Sequence, residues 1–167
     1  MKNKILLITD YNNLYRQDIY RSEGIDLRVF KQVLKDNQFE VTQITYNELL
    51  NHSMKKWEGY YVVYTSSENL EYKEYIKDII YELGKKNTLL PRYDLLMCHE
   101  DKLYQEIIKK SMGIKSLDAK MYATMKDLYK DIKSVTYPVV VKKCVGAGSI
   151  SVYKANDKKE LIKYAKK

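Results

Sequence analysis

Short β-branched runs alternate with stretches of helical periodicity from Lys4 to Pro91, and that alternation constrains the fold more than any other feature of the chain. Lys4–Thr9 is a continuous apolar run of the length of a buried strand. Asp26–Lys35 carries apolar positions at helical spacing, with Asp26 as a natural N-cap and Asp36-Asn37 as a natural stop. Phe39–Thr45 alternates as a second strand, and Tyr46–Asn51 reads as a short helix. Tyr60–Tyr64 is a third strand, followed by the loop Thr65-Ser66-Ser67. Asn69–Leu83 predicts an amphipathic helix, with Gly84 expected at its C′ position. Asn87–Pro91 reads as a fourth short strand, stopped by Pro91. Strands that alternate with helices imply right-handed βαβ units, hence an α/β fold with a parallel sheet covered by helices. Ligands in such sheets bind at the carboxyl ends of the strands. The loops Asp10–Asn13 and Thr65–Ser67 are therefore candidates, and Asp10 is a candidate for a substrate amine or hydroxyl. The competing reading of Asp10 is an ordinary loop residue or cap.

The pattern changes after Arg92. Asp101–Met112 predicts a helix with Leu103, Ile107 and Ile108 on one face. Lys109-Lys110 near its C-terminus suits the helix dipole, and Gly113 breaks it. Lys120–Ala123 is expected to be a short strand and Met125–Ile132 a helix. Pro138-Val139-Val140-Val141-Lys142 is a β-branched run that delivers a lysine. The small-residue loop Cys144-Val145-Gly146-Ala147-Gly148-Ser149 follows, then a second β-like run, Ile150–Lys154, and a final helix, Asp157–Lys167. There is no internal repeat and no low-complexity linker. The boundary is expected between Tyr93 and Ser116, giving a first domain over residues 1–95 and a second over 96–167.

Charge separates the same two parts. The chain of 167 residues has a formal charge of +8. Residues 101–167 hold 16 basic against 7 acidic side chains, so +9, and the rest hold 14 against 15, so −1. That asymmetry points to a polyanion at the C-terminal part (nucleotide phosphates, nucleic acid or an anionic surface), against the alternative of a solvated lysine-rich face. Trp57, Tyr60, Tyr61 and Tyr64 lie in the half with charge −1. They read as strand and core residues rather than a base-stacking surface. Arg92, near the junction, could reach a carboxylate or phosphate.

Several classes are disfavoured. No apolar run has the length needed to span a bilayer. The run after Met1 is too short for a signal peptide and ends in Asp10. Cys98 and Cys144 lie far apart without metal-ligand spacing, and two histidines, His52 and His99, are too few for a histidine-rich metal site. A soluble cytoplasmic protein with reduced thiols is the expectation. Cys144 stands beside Lys142 and Lys143, as a nucleophilic thiol can, but no histidine is near it in sequence to act as a base. His99 reads as a helix-entry or surface residue.

Two strands joined by a side-chain-poor loop, with Lys142 at the turn, make a phosphate clamp. Glycine lets main-chain N–H groups approach an anion and the ammonium adds a point charge. The alternative is a plain hairpin with a solvated lysine. Three features then occur in order: the βαβ region, His99-Glu100-Asp101-Lys102-Leu103 opening a helix, and the Val-Lys strand with its Gly/Ser loop. This order resembles the front half of an ATP-grasp enzyme. In that family a Rossmann-like pre-ATP-grasp domain leads to an Asp-Lys pair, a Gly-Ile-Pro turn, and a strand of the form P-V-V-V-K-P with a loop G-S-x-G-V. Asp101-Lys102, Gly113-Ile114, Val139–Lys142, Gly146–Val152 and Glu160-Leu161 match in order along the whole chain.

The resemblance implies a Rossmann-like parallel sheet followed by a small α+β ATP-grasp lobe. It implies that Lys102 and Lys142 contact nucleotide phosphates, and that Gly146, Gly148, Ser149 and Ser151 belong to a loop closing over them. ATP and Mg2+ are the implied cofactors of the complete enzyme. The partners would be a carboxylate substrate and an amine or thiol acceptor, with no membrane; a homodimer stays open as the cover for any apolar face. Departures are Lys143 for the usual proline, Ser151 for a usual glycine, and Lys115 for the proline of the turn. The second lobe, with the adenine hinge and acidic metal ligands, is not in the sequence. The resemblance therefore reads the chain as the N-terminal part of a ligase that activates a carboxylate as an acyl phosphate, inactive alone. The rival is a non-enzymatic α/β module binding nucleic acid or another polyanion through its basic half.

Overall fold

The computed structural model describes residues 3–16, 23–115, 117–146 and 151–167. The chain divides into two compact units, Met1–His99 and Glu100–Lys167.

The first unit is built on a four-stranded, all-parallel sheet of order β2-β1-β3-β4. Its strands are β1 (Lys4–Thr9), β2 (Glu40–Thr45), β3 (Tyr61–Val63) and β4 (Thr88–Leu90). Helices α1 (Leu27–Asp36), α2 (Tyr46–Leu49) and α3 (Leu70–Gly84) lie between them, with α4 (Tyr93–Cys98) following β4. A 3-10 turn, Met54–Trp57, and α4 were not read from the sequence. Both are too short to show helical periodicity.

β1 sits centrally, and Ile5, Leu6, Leu7 and Ile8 are all buried, as a strand covered on both faces requires. Leu6, Ile8, Val62 and Leu89 from the sheet join Ile76, Ile79, Ile80 and Leu83 of α3 in one core, with Trp57 and Tyr64. Capping fixes the helix starts. The Asp26 carboxylate accepts from Arg28 and Val29 N–H, and Asn69 accepts from Tyr72 N–H at 2.8 Å. Thr45 and Glu48 form a reciprocal capping box at α2. Gly84 is not a C′ residue: it is the last residue of α3, and Lys85 caps the helix in right-handed conformation. Its small size serves packing, because a Cβ there would stand 2.8 Å from Leu89 Cδ1.

Strand order reverses between β1 and β3, since β2 lies on one side of β1 and β3 on the other. The carboxyl ends of these two strands are the place where a parallel sheet leaves room for a ligand. They carry Thr9-Asp10 and Tyr64-Thr65-Ser66.

The second unit contains α5 (Lys102–Ser111), α6 (Met125–Asp131), a 3-10 turn at Ile132–Ser134, and α7 (Lys158–Ala165). Its sheet is the antiparallel pair β5 (Val139–Lys142) and β6 (Val152–Ala155). Val139 and Val141 pack with Leu128, Ile132, Ala155 and Leu161. Val140 and Lys142 point to the other, open face. The expected strand at Lys120–Ala123 is absent; the segment is coil. Its polar groups go to the end of α6 instead: Lys120 Nζ donates to Asp131 at 2.8 Å and Tyr122 OH at 2.6 Å. The molecule is thus mixed α/β, a parallel sheet followed by a small antiparallel one, as expected of a Rossmann-like unit and a small ATP-grasp lobe. No helix among the described residues is long and apolar enough to cross a membrane.

Candidate functional site

Asp101 is the N-cap of α5 and accepts from Tyr104 N–H at 2.9 Å. A short antiparallel bridge joins Asp101 to Val145. Around it, Lys102 N–H donates to the Cys144 carbonyl at 2.7 Å, and Gly146 N–H to the Glu100 carbonyl at 3.1 Å. Lys102 Nζ donates to the Gly146 carbonyl. The helix start and the start of the glycine loop are therefore tied together by main-chain and side-chain bonds. Glu100 and Gly146 meet this geometry with φ of +57° and +120°. Sequence reasoning missed Glu100, because nothing in its residue type signals a left-handed conformation.

Lys142 ends β5, exposed, in register with Val152 of β6. Ser151 precedes Val152 and takes φ +61°, a conformation that favours glycine and costs a serine about 1–2 kcal/mol. The departure from glycine at this position is thus one of side chain, not of backbone shape. Lys142 and Ser151 both line a cavity of about 60 Å³, together with Lys143, Tyr153, Tyr164 and Lys167. Tyr153 and Tyr164 stack at 4.8 Å with Lys167 over the Tyr153 ring. These aromatics were read only as strand and helix positions. Gly148 and Ser149, the other two expected loop residues, lie outside the described residues.

The structure thus joins Lys102 directly to Gly146, and places Lys142 and Ser151 on one small cavity. The chemistry available is electrostatic. Ammonium groups and main-chain N–H groups can surround phosphate oxygens. Among the described residues no three His, Cys, Asp or Glu side chains gather to hold a metal ion. Cys144 is exposed and is in no disulfide.

Three other candidates are engaged within the first unit. Asp10 is not open to a substrate amine: its carboxylate accepts Asn12 and Leu14 N–H, both at 2.9 Å, and Arg16 Nε at 2.6 Å. Arg92 pairs with Asp94 in the first turn of α4, and that ion pair raises its pKa and lowers the aspartate's. His99 is the C-cap of α4, and its carbonyl accepts from the buried Lys73 ammonium at 3.1 Å.

No protein-family model matches the chain. A D-alanine–D-alanine ligase of Acetivibrio thermocellus is 39% identical to it over 69 residues, covering 36% of this chain and 18% of the ligase. The crystal structure of D-alanine–D-alanine ligase from Bacillus anthracis matches 98% of this chain and 53% of its own at 19% identity, with a TM-score of 0.47. The chain spans less than two thirds of either ligase, and over part of its length it is similar to a D-alanine–D-alanine ligase.

Proposed function

We propose that the chain is the N-terminal part of an ATP-grasp ligase, and that Glu100–Lys167 is the lobe that holds the phosphates of ATP. The observation that carries this reading is the pairing of Lys102 with Gly146 and Cys144. A lysine at a helix start and a glycine loop far along the chain are brought to one place, as a phosphate cradle needs. In this reading Lys102 and Lys142 neutralise phosphate charge. Gly146, whose N–H is taken by the Glu100 carbonyl, anchors the loop, and Gly148, Ser149 and Ser151 offer main-chain N–H groups and close over the nucleotide. The 39% identity to a D-alanine–D-alanine ligase supports the ligase class.

The complete enzyme would transfer the γ-phosphoryl group of ATP to a carboxylate oxygen. The acyl phosphate would then be displaced by an amine or thiol, giving the amide or thioester with release of phosphate. The chain's own share is to bind and orient phosphate and to exclude water above it. Magnesium is assigned no ligand among the described residues. Taken alone, the chain is expected to release no ADP.

The test is a titration of the isotopically labelled chain with Mg-ATP, followed by two-dimensional NMR. Saturable shifts at Lys102, Lys142 and Gly146 that vanish in Lys142→Ala support the reading. Absence of saturable shifts, or equal affinity for an unrelated oligonucleotide with no dependence on Lys142, overturns it.

A further inference from the structure

Lys102 and Gly146 meet with a polarity that is wrong for an anion. The Lys102 ammonium donates to the Gly146 carbonyl, while Gly146 N–H donates to the Glu100 carbonyl at 3.1 Å. Both main-chain groups of Gly146 are therefore committed to the segment that opens α5. A trans peptide points its N–H away from its oxygen. The peptide group that shows its oxygen to Lys102 thus turns its N–H away from the same ammonium. Anion-binding loops do the reverse and aim N–H groups at the charge.

In the role proposed for Lys102, its ammonium lies against a phosphate oxygen. The Gly146 oxygen would then face that phosphate, acceptor against acceptor. A lysine ammonium has three donors and can hold both, but two negative ends brought to one ammonium repel each other. The phosphate bears full charge and the carbonyl a partial one, so the ammonium goes to the phosphate.

Gly146 has the freedom to give way. Its φ is +120°, in a region that glycine enters freely and other residues rarely do. A Cβ there would meet nothing within 4 Å, so packing leaves space for the group to turn. On the other side of the same Cα, the backbone is held. Gly146 N–H is fixed by Glu100, and the residues before it by the Lys102–Cys144 bond and the Asp101–Val145 bridge. Rotation about ψ of Gly146 therefore reverses the peptide group without dissolving the clasp.

We propose that the Gly146 carbonyl is the resident partner of Lys102 in the empty chain. When the ammonium goes to phosphate, the peptide group after Gly146 turns over and presents an N–H in place of an oxygen. This rests on the phosphate-holding role proposed above for Lys102. The lysine that binds the anion is then also the one that latches the loop start in its empty form.

The test uses NMR of the whole chain, labelled with 13C and 15N. The Gly146 carbonyl carbon moves upfield when its oxygen loses a hydrogen bond. Without nucleotide, Lys102→Met removes the ammonium but keeps the main-chain bond to Cys144, and is expected to move that resonance upfield. Mg-ATP added to the parent chain is expected to move it the same way, saturably. The amide proton of the next residue should move downfield as it donates to phosphate. An unmoved Gly146 carbonyl in nucleotide-free Lys102→Met overturns the latch, whatever the nucleotide does. Saturable Mg-ATP shifts at Lys142 with the Gly146 carbonyl unmoved overturn the turning peptide alone and leave the phosphate reading standing. Mg-ATP that shifts nothing saturably removes the phosphate reading and this inference with it.

Discussion

The main-chain N–H of Lys102 donates to the carbonyl of Cys144 at 2.7 Å, so the first residue of α5 is fastened to the segment that leaves β5. The residue before it, Asp101, both caps the helix and bridges to Val145. The Asp-Lys pair is thus a structural clasp as well as a charge.

Asp101→Ala should therefore do two things. Loss of the cap is expected to destabilise the second unit by about 1 kcal/mol. Denaturation followed by tyrosine signals of that unit would show it, while Trp57 of the first unit reports no change. Freed from the cap, Lys102 should also hold phosphate less well, so weaker Mg-ATP shifts are expected in the same variant. Asp101→Asn, which keeps an acceptor, should recover most of the stability.

Ser151 carries a left-handed conformation without being glycine. Ser151→Gly removes the contact between Cβ and backbone that disfavours this region, and gives back some chain entropy to the unfolded state. The first effect is the larger, and a net gain of about 0.5–1 kcal/mol is expected. Chemical denaturation checks it; a loss of stability would mean that the Ser151 side chain makes a compensating interaction.

The sheet and most helices were legible because their signals are local. β1 is an unbroken apolar run, Asp26, Asn69, Asp101 and Asp157 each sit as caps before periodic segments, and Gly113 ends α5 with φ +67°. Lys120–Ala123 misled because a short stretch with Met121, Tyr122 and Ala123 says nothing of whether a neighbouring strand exists to pair with. The segment spends its polar groups on Asp131. For the site, residue types revealed Lys102 and Lys142, since a lysine at a helix start or strand end is visible in sequence. The bond from Lys102 to Gly146, the conformation of Glu100 and the Arg16–Asp10 pair are long-range or backbone facts. No spacing rule reports them.

Asp10 and Arg16 form an ion pair in which both side chains are nearly inaccessible, at 3% and 6%. Asp10→Asn keeps an oxygen for the Asn12 and Leu14 N–H groups but leaves the guanidinium buried without its counter-charge. Breaking one partner of such a pair typically costs about 3–5 kcal/mol. A marked fall in the first unit's midpoint, read by Trp57 fluorescence, is expected. A change below about 1 kcal/mol would show that water reaches the guanidinium.

Asp131 gathers Lys120, Ser134 and Tyr122 at the end of α6. Hydrogen bonds from the Lys120 ammonium, then from Ser134 and Tyr122, hold its carboxyl well below the usual range. A carboxyl whose folded pKa is depressed adds stability above its unfolded value, about 3.9. That contribution is lost as the pH falls through the folded pKa. Tyr122 is held the other way: burial, and then the Asp131 carboxylate, push its phenol up to about 12. Asp131→Asn should therefore lower the stability of the second unit at pH 7, and the gap between variant and parent should narrow only below about pH 4. Thermal melts across pH 2 to 7 would decide it. A gap that stays constant through the acid range would show that the Lys120–Asp131 charge pair contributes nothing and that geometry alone holds the segment.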